Sequence, residues 1–224
     1  MKKACVLFSG GKDSALALFK ASKKYKIEFL LNMVPENKDS FMFHKPELKL
    51  LKKQAEMLGI KLVIGKTKGE KEKELKDLKR LIEKVKDKVE VIVIGGLASN
   101  YQGDRINKIA SELGLDVYAP LWDYSAEELW NELLGEGFEV VLTKIACEGI
   151  PLAYLGRVID ELVLEDLKKL AKTYKFRLDF EGGEAESVVL FMPGFKKRIK
   201  IRYDIESEDK YRHFIKNLEI KEVE

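Results

Sequence analysis

Five short apolar runs, each followed by an amphipathic stretch, fill the first half of the chain, and this alternation constrains the fold more than any other feature. Residues 3–8 (KACVLF) form the first run and end on a glycine pair, as a buried parallel strand does. Ala15, Leu18, Phe19 and Ser22 follow at helical spacing. A second strand, 27–34 (IEFLLNMV), is stopped by Pro35. Leu48, Leu51, Ala55 and Leu58 mark a helix closed by Gly59. Strand 60–64, a highly charged helix around Leu75, Leu78, Ile82 and Val85, and strand 89–94 come next. A helix with Ile106, Ile109, Ala110 and Leu113 leads to a last short strand near 116–119. Strand–helix alternation requires parallel pairing through right-handed crossovers. The expectation is a five-stranded doubly wound parallel α/β sheet.

The pattern changes after Trp122. Residues 125–136 read as a helix, "FEVVLTKIAC" as a strand and 164–174 as a helix. Residues 187–192 and 198–203 read as a hairpin joined through Pro193 to Lys197. His213 is assigned to a charged C-terminal helix. These elements predict a smaller α+β domain, giving domains 1–123 and 124–224. The cationic segment with Lys196, Lys197, Arg198, Lys200 and Arg202 reads first as a solvated hairpin, with a docking face for a partner as the alternative.

Composition narrows the class. Among 224 residues, 46% are hydrophobic and 35% charged, the balance of a packed domain rather than a disordered chain. A net charge of +3 from 41 basic and 38 acidic residues means interleaved signs, so no nucleic-acid partner is expected. No apolar run approaches a membrane span, and the first residues lack the long apolar core of a secretion signal. Cys5 and Cys147 stand far apart with no C-x-x-C pair, which favours a reducing compartment, the cytoplasm.

Between the first strand and first helix lies Ser9-Gly10-Gly11-Lys12-Asp13-Ser14. The nucleoside-triphosphate loop G-x-x-x-x-G-K-[ST] fails here: Val6 stands where the first glycine belongs, and Asp13 follows Lys12. The dinucleotide fingerprint G-x-G-x-x-G fails as well. Two glycines still let backbone N–H groups face one anion at a helix N-terminus, with Ser9 and Ser14 as hydroxyl donors and Lys12 as a full charge. Asp13 grips no phosphate itself and makes sense beside Mg²⁺, which takes carboxylate and phosphate oxygens together. The plain alternative is a capped turn.

The loop after the fourth strand, Gly95 to Arg105, is rich in donors. In a sheet of order 3-2-1-4-5 it lies beside the first loop, where Arg105 can brace phosphate and Ser99, Tyr101 and Gln102 can hold ligand. A helix cap with an exposed arginine is the competing reading. His44, in the loop 35–46, is either a nucleotide or substrate contact or an ordinary surface residue. Glu181, Glu184 and Glu186 surround a glycine pair in "FEGGEAES", a polar turn or a site for a cation or ammonium.

The hexapeptide resembles the PP-loop (S-G-G-x-D-S) of the N-type ATP pyrophosphatase superfamily. With "MFHKPEL" at 42–48, "ASNYQGDRI" at 98–106, "PLW" at 120–122 and "EGGEAES" at 181–187, the chain is similar along nearly its whole length to the diphthine–ammonia ligase family, also called the diphthamide synthase ATP-binding family. Ala185 departs from it, since an aromatic is more usual there, and Gly103-Asp104 is a local variation. The resemblance implies an adenine nucleotide alpha-hydrolase-like fold and ATP cleavage to AMP and pyrophosphate. It further implies adenylation of the diphthine carboxylate on translation elongation factor 2, with ammonium as the nitrogen donor. Lys12 and Asp13 would serve catalysis, Asp13 would hold Mg²⁺, and the strand around Asn32 and Val34 would read adenine. Glu184 and Glu186 would receive ammonium. Rival readings are a PP-loop enzyme acting on tRNA and a non-catalytic nucleotide-binding regulator. A homo-oligomer stays open.

Overall fold

The computed structural model describes residues 1–35, 48–68, 73–96 and 100–223, except the side chains of 100–102 and 222–223. The chain forms two compact units, Met1–Asp123 and Tyr124–Glu224.

The first unit carries β1 (Lys3–Leu7), α1 (Lys12–Ser22), β2 (Lys26–Pro35), α2 (Leu48–Leu58), β3 (Lys61–Thr67), α3 (Lys73–Glu83), β4 (Val91–Val93), α4 (Asn100–Leu113) and β5 (Asp116–Tyr118). The strands pair in parallel in the order β3-β2-β1-β4-β5, the expected doubly wound α/β sheet. The two-residue period of a strand separates the faces. Cys5, Leu31, Met33, Ile92 and Ile94 join Leu78, Leu81 and Ile82 of α3 and Ile106, Ile109 and Ala110 of α4 in one core. Right-handed crossovers put α1 and α2 on the opposite face, over Ala4, Val6, Leu30, Val91 and Val93, all at or near full burial. The strand order reverses between β1 and β4, so their two outgoing loops diverge and leave a crevice.

The second unit carries α5 (Ala126–Gly135), β6 (Glu139–Ala146), α6 (Glu161–Tyr174), β7 (Ala185–Phe191), β8 (Arg198–Ser207) and β9 (Arg212–Val223). A reciprocal capping box starts α5, with Ser125 accepting from Glu128 N–H and Glu128 accepting from Ser125 N–H. Asp160 caps α6 by accepting from Val163 N–H at 2.8 Å. The antiparallel sheet runs β7-β6-β9-β8.

This order corrects two expectations. β7 and β8 are not a hairpin; they lie at opposite edges, and the hairpin is β8–β9. His213 is not helical; it opens strand β9 and faces Ile145 of β6 on one side and Ser207 of β8 on the other. The cause of the misreading is a bulge in β9. From Arg202↔Glu219 to Asp204↔Lys216, β8 advances two residues and β9 three, with Asn217 at φ 49°. The bulge breaks the two-residue period: Phe214 and Ile215 stand side by side and Leu218 follows three residues on, which hides the strand.

Candidate functional site

The crevice between β1 and β4 is built first from the turn 8–11. Gly10 has φ +83°, a left-handed conformation that suits glycine, and it turns the chain from β1 into α1. Buried Gln54 of α2 donates through Nε2 to the Gly10 carbonyl at 2.9 Å. A side chain at position 10 would collide with the Gln54 amide. On β2, buried Asn32 donates through Nδ2 to the Phe8 carbonyl at 2.7 Å. Two side chains from two elements thus hold two successive parts of the loop by its carbonyls. Phe8 N–H donates to the Leu31 carbonyl and Gly11 N–H to the Ser9 hydroxyl, at 2.8 and 3.3 Å, so the turn is fixed from within as well.

Inside the loop, Ser9 N–H donates to Ser14 Oγ at 3.2 Å, the two hydroxyl oxygens lie 3.1 Å apart, and Ser14 Oγ donates to the Gly11 carbonyl at 3.2 Å. Lys12 is 3% exposed and its Nζ lies 2.8 Å from Asp13 Oδ2. Asp13 Oδ1 is buried with no hydrogen-bond partner, and so is Asn32 Oδ1. Such oxygens can take a further partner, a cation at Asp13 or a donor at Asn32. A single carboxylate oxygen beside a phosphate cradle fits Mg²⁺, which is held by one or two carboxylates together with substrate phosphates.

The β4–α4 loop closes on the same place. A Cβ on Gly95 would sit 2.8 Å from the backbone of Asp13 and Ser14, so only glycine permits this approach. Gly103, in the first turns of α4, takes the ring of Trp122 against its Cα, which ties the two later sequence motifs of this unit together. Arg105 is half-buried on α4. His44 and Ser99, and the side chains of Tyr101 and Gln102, lie outside the described residues.

β2 outruns β1. The last β1–β2 bond is Phe8 N–H to the Leu31 carbonyl at 2.8 Å, while β2 stays paired with β3 as far as Pro35. Strand alternation then turns the N–H and C=O of Met33 to the open side and those of Asn32 and Val34 toward β3. Within the stretch from Asn32 to Val34, it is therefore the middle residue, Met33, whose backbone groups face outward.

In the second unit the EGGEAES turn is held from below. Trp130 of α5 is fully buried, donates through Nε1 to the Leu178 carbonyl at 2.9 Å and meets Phe180 edge-on at 6.0 Å. Phe180 itself has φ 61°. Asp179 receives a bidentate pair from Arg177 at 2.9 and 2.7 Å and accepts from Glu181 N–H at 3.0 Å. Glu184 Oε1 accepts from Arg177 N–H at 3.1 Å, and its Oε2 is buried without a partner. Glu186 is engaged differently, by Lys144 at 3.1 Å. Ala185 is buried at the start of β7. Burial first, and then the Glu184 carboxylate, push the Cys147 thiol up to about 11. Gln54, Trp130, Arg177 and Asp179 carry no motif and were not legible as site residues.

Among the described residues no group of three or more His, Cys, Asp or Glu clusters as a metal centre, and no helix is long and apolar enough to cross a membrane.

Fold and site together define a doubly wound α/β protein with a glycine-rich turn at the reversal of strand order, and a second unit built on an antiparallel sheet. Residues 1–117 match the family model of the diphthamide synthase N-terminal domain, and residues 125–223 that of its C-terminal domain. The chain belongs to the diphthamide synthase family, a family of enzymes. It is similar to the diphthine–ammonia ligase of Schizosaccharomyces pombe, 32% identical over 88% of this chain and 36% of that protein. It resembles the human and bovine proteins of the same name at 30% identity, over 88% of this chain and 82% of each of them. The chain thus spans about a third of the yeast protein and most of the mammalian ones. A solved structure titled as a predicted tRNA methyltransferase subunit from Methanocaldococcus jannaschii aligns at 18% identity and TM-score 0.45, covering 86% of this chain and 98% of that one; a likeness at that level carries no argument.

Proposed function

We propose that this protein is an ATP-dependent, amide-forming ligase that converts the diphthine carboxylate of translation elongation factor 2 to the amide of diphthamide. The observation that supports it most is the coincidence of two things. A glycine-rich loop without the G-x-x-x-x-G-K-[ST] spacing opens α1 where the strand order reverses between β1 and β4, and both halves of the chain match the family whose curated relatives bear that activity as their name.

In the proposed chemistry a carboxylate oxygen attacks the α phosphorus of ATP and the Pα–O–Pβ bond breaks. Pyrophosphate leaves and an acyl adenylate forms. Ammonia then attacks the acyl carbon, the C–O bond to AMP breaks, and nitrogen gives up one proton. The α1 N-terminus, the Ser9 and Ser14 hydroxyls and Lys12 stabilise the charge that gathers on the phosphates. Asp13 Oδ1 would hold Mg²⁺, which when bound neutralises phosphate charge and polarises the α phosphorus. Met33 N–H and C=O, flanked by Asn32 and Val34, present a donor and an acceptor to adenine, and Asn32 Oδ1 offers a further acceptor. Arg105 braces phosphate; Ser99, Tyr101, Gln102 and His44 complete the ligand contacts in this reading. Glu184 receives ammonium on its unpaired Oε2 and takes its proton, while Glu186 is occupied by Lys144. A cytoplasmic location belongs to the same proposal.

A tRNA-directed sulfur-transfer reading is disfavoured by the lack of a C-x-x-C pair: Cys5 is buried in the sheet and Cys147 stands alone in the second unit. The test is AMP and pyrophosphate formation with diphthine-bearing elongation factor 2 and ammonium. Turnover with tRNA instead, or tight ATP binding without pyrophosphate release, would overturn the proposal.

A further inference from the structure

Strand β8 ends its sheet. Its one neighbour is β9, and among the described residues no backbone bond joins it to any other segment. Glu208 N–H donates to the Arg212 carbonyl at 2.9 Å, so even-numbered residues turn their backbone toward β9. The odd-numbered residues, Ile199 through Ser207, present N–H and C=O groups outward. The irregularity at Arg202/Asp204 is absorbed by β9 at Asn217, so β8 keeps its alternation over ten residues. An unpaired edge of that length is a template for another strand.

The side chains specify which strand. On the even-numbered face stand Arg198, Lys200 and Arg202, then Asp204, Glu206 and, just beyond, Glu208: three cations followed by three anions. We propose that β8 pairs antiparallel with β8 of a second copy of this chain about a two-fold axis at Tyr203, joining two four-stranded sheets into one. In that register Arg202 meets Asp204 of the second copy and Lys200 meets Glu206, each twice, while Arg198 stays on Glu139 of its own chain at 2.7 Å. On the other face Ile201 meets Ile205, which is 45% exposed in the single chain, and Tyr203 meets its own copy.

The register is selective. Sliding by two residues in one direction sets Arg202 on Arg202, and in the other Asp204 on Asp204; odd slips bring inward-turned backbone to the joint. The pairing also continues the ladder inside each chain. Arg202 already faces Glu219 and Asp204 faces Lys216, so the row Glu219–Arg202–Asp204–Lys216 alternates in sign across the joint. Lys200 faces Lys221 within the chain, like on like, and the pairing sets Glu206 of the second copy, already on Lys216 of its own chain, beside Lys200. Cations on an edge ordinarily repel arbitrary strands; the reversal of sign halfway along admits the chain's own copy.

Sedimentation of the full chain should give twice 25.7 kDa, and Ile205→Pro, which deletes one outward N–H, should give 25.7 kDa with an unchanged circular dichroism spectrum. Arg202→Asp alone should dissociate the pair, and Arg202→Asp combined with Asp204→Arg should restore it; this swap decides the matter if the proline variant misfolds. In a Cys147→Ser background, Tyr203→Cys should oxidise to a covalent dimer, because paired Cα atoms on the axis lie about 5.5 Å apart. Ile201→Cys should not. A monomer at every concentration, a dimer indifferent to Ile205→Pro and to the Arg202 charge reversal, or cross-linking at Ile201→Cys in place of Tyr203→Cys overturns the proposal.

Discussion

Gln54 Nε2 donates to the carbonyl of Gly10 at 2.9 Å, a bond between residues 44 positions apart with the side chain wholly buried. It sets the plane of the loop peptide from the far side, so the cradle is shaped by α2 as much as by its own glycines. Gln54→Leu keeps most of the volume but strands a buried carbonyl. A loss of about 1–3 kcal/mol in a denaturant titration is expected, together with weaker ATP binding by calorimetry.

Gly10→Ala meets two obstacles, a φ of +83° and the Gln54 amide. Strain of this kind costs on the order of 1–3 kcal/mol. Thermal unfolding should fall accordingly, and pyrophosphate release should be lost even where the variant is folded.

Asp13→Asn removes the charge of the carboxylate whose Oδ1 has no partner and whose Oδ2 sits on Lys12. Turnover should fall by on the order of 10²-fold or more, and the half-saturating Mg²⁺ concentration should rise. Activity and Mg²⁺ dependence equal to wild type would remove the metal assignment.

Glu184→Gln separates the two halves of the proposed reaction. Pyrophosphate should still form in a first turnover without ammonium, while amide formation collapses. Glu186→Gln should be milder, since Lys144 already engages that carboxylate. Equal defects in both steps would mean that Glu184 only shapes its turn through Arg177.

The two thiols make stability depend on alkaline pH. Burial pushes Cys5 up to about 12, and Cys147 rises to about 11, against an ordinary value of 9.0. Above pH 9 the unfolded chain releases these protons first, so their contribution to stability is whole below pH 9 and is lost as pH rises toward 11 and 12. Denaturation midpoints measured across that window should fall less steeply in Cys5→Ala than in wild type.

Much of the first unit was legible in its residues. Runs such as KACVLF and VEVIVI suit short buried parallel strands, and the helices between them require right-handed crossovers; that alternation permits several strand orders, and 3-2-1-4-5 came with the family resemblance. The hexapeptide at 9–14 was legible as the turn from β1 into α1 for the same reason: glycines and a helix start are local requirements. The second unit was less legible. β7 and β8 are neighbours in sequence, and the strand that pairs with β8 is hidden by a bulge that breaks its two-residue period at Asn217.

What the sequence by itself determined is what local chemistry dictates: strand and helix periods in the first unit, the turn at Gly10, and the charge and hydroxyl groups of the loop. Only the tertiary structure decided the rest: that Gln54 and Asn32 hold the loop by its carbonyls, that Gly95 comes against Asp13, that Met33 and not Val34 faces the open side of β2, and that Glu184 keeps an unpaired oxygen while Glu186 does not. Those outcomes depend on register and on contacts between residues distant in the chain. Neither leaves a periodic mark, because a single long-range contact constrains two positions and no pattern between them.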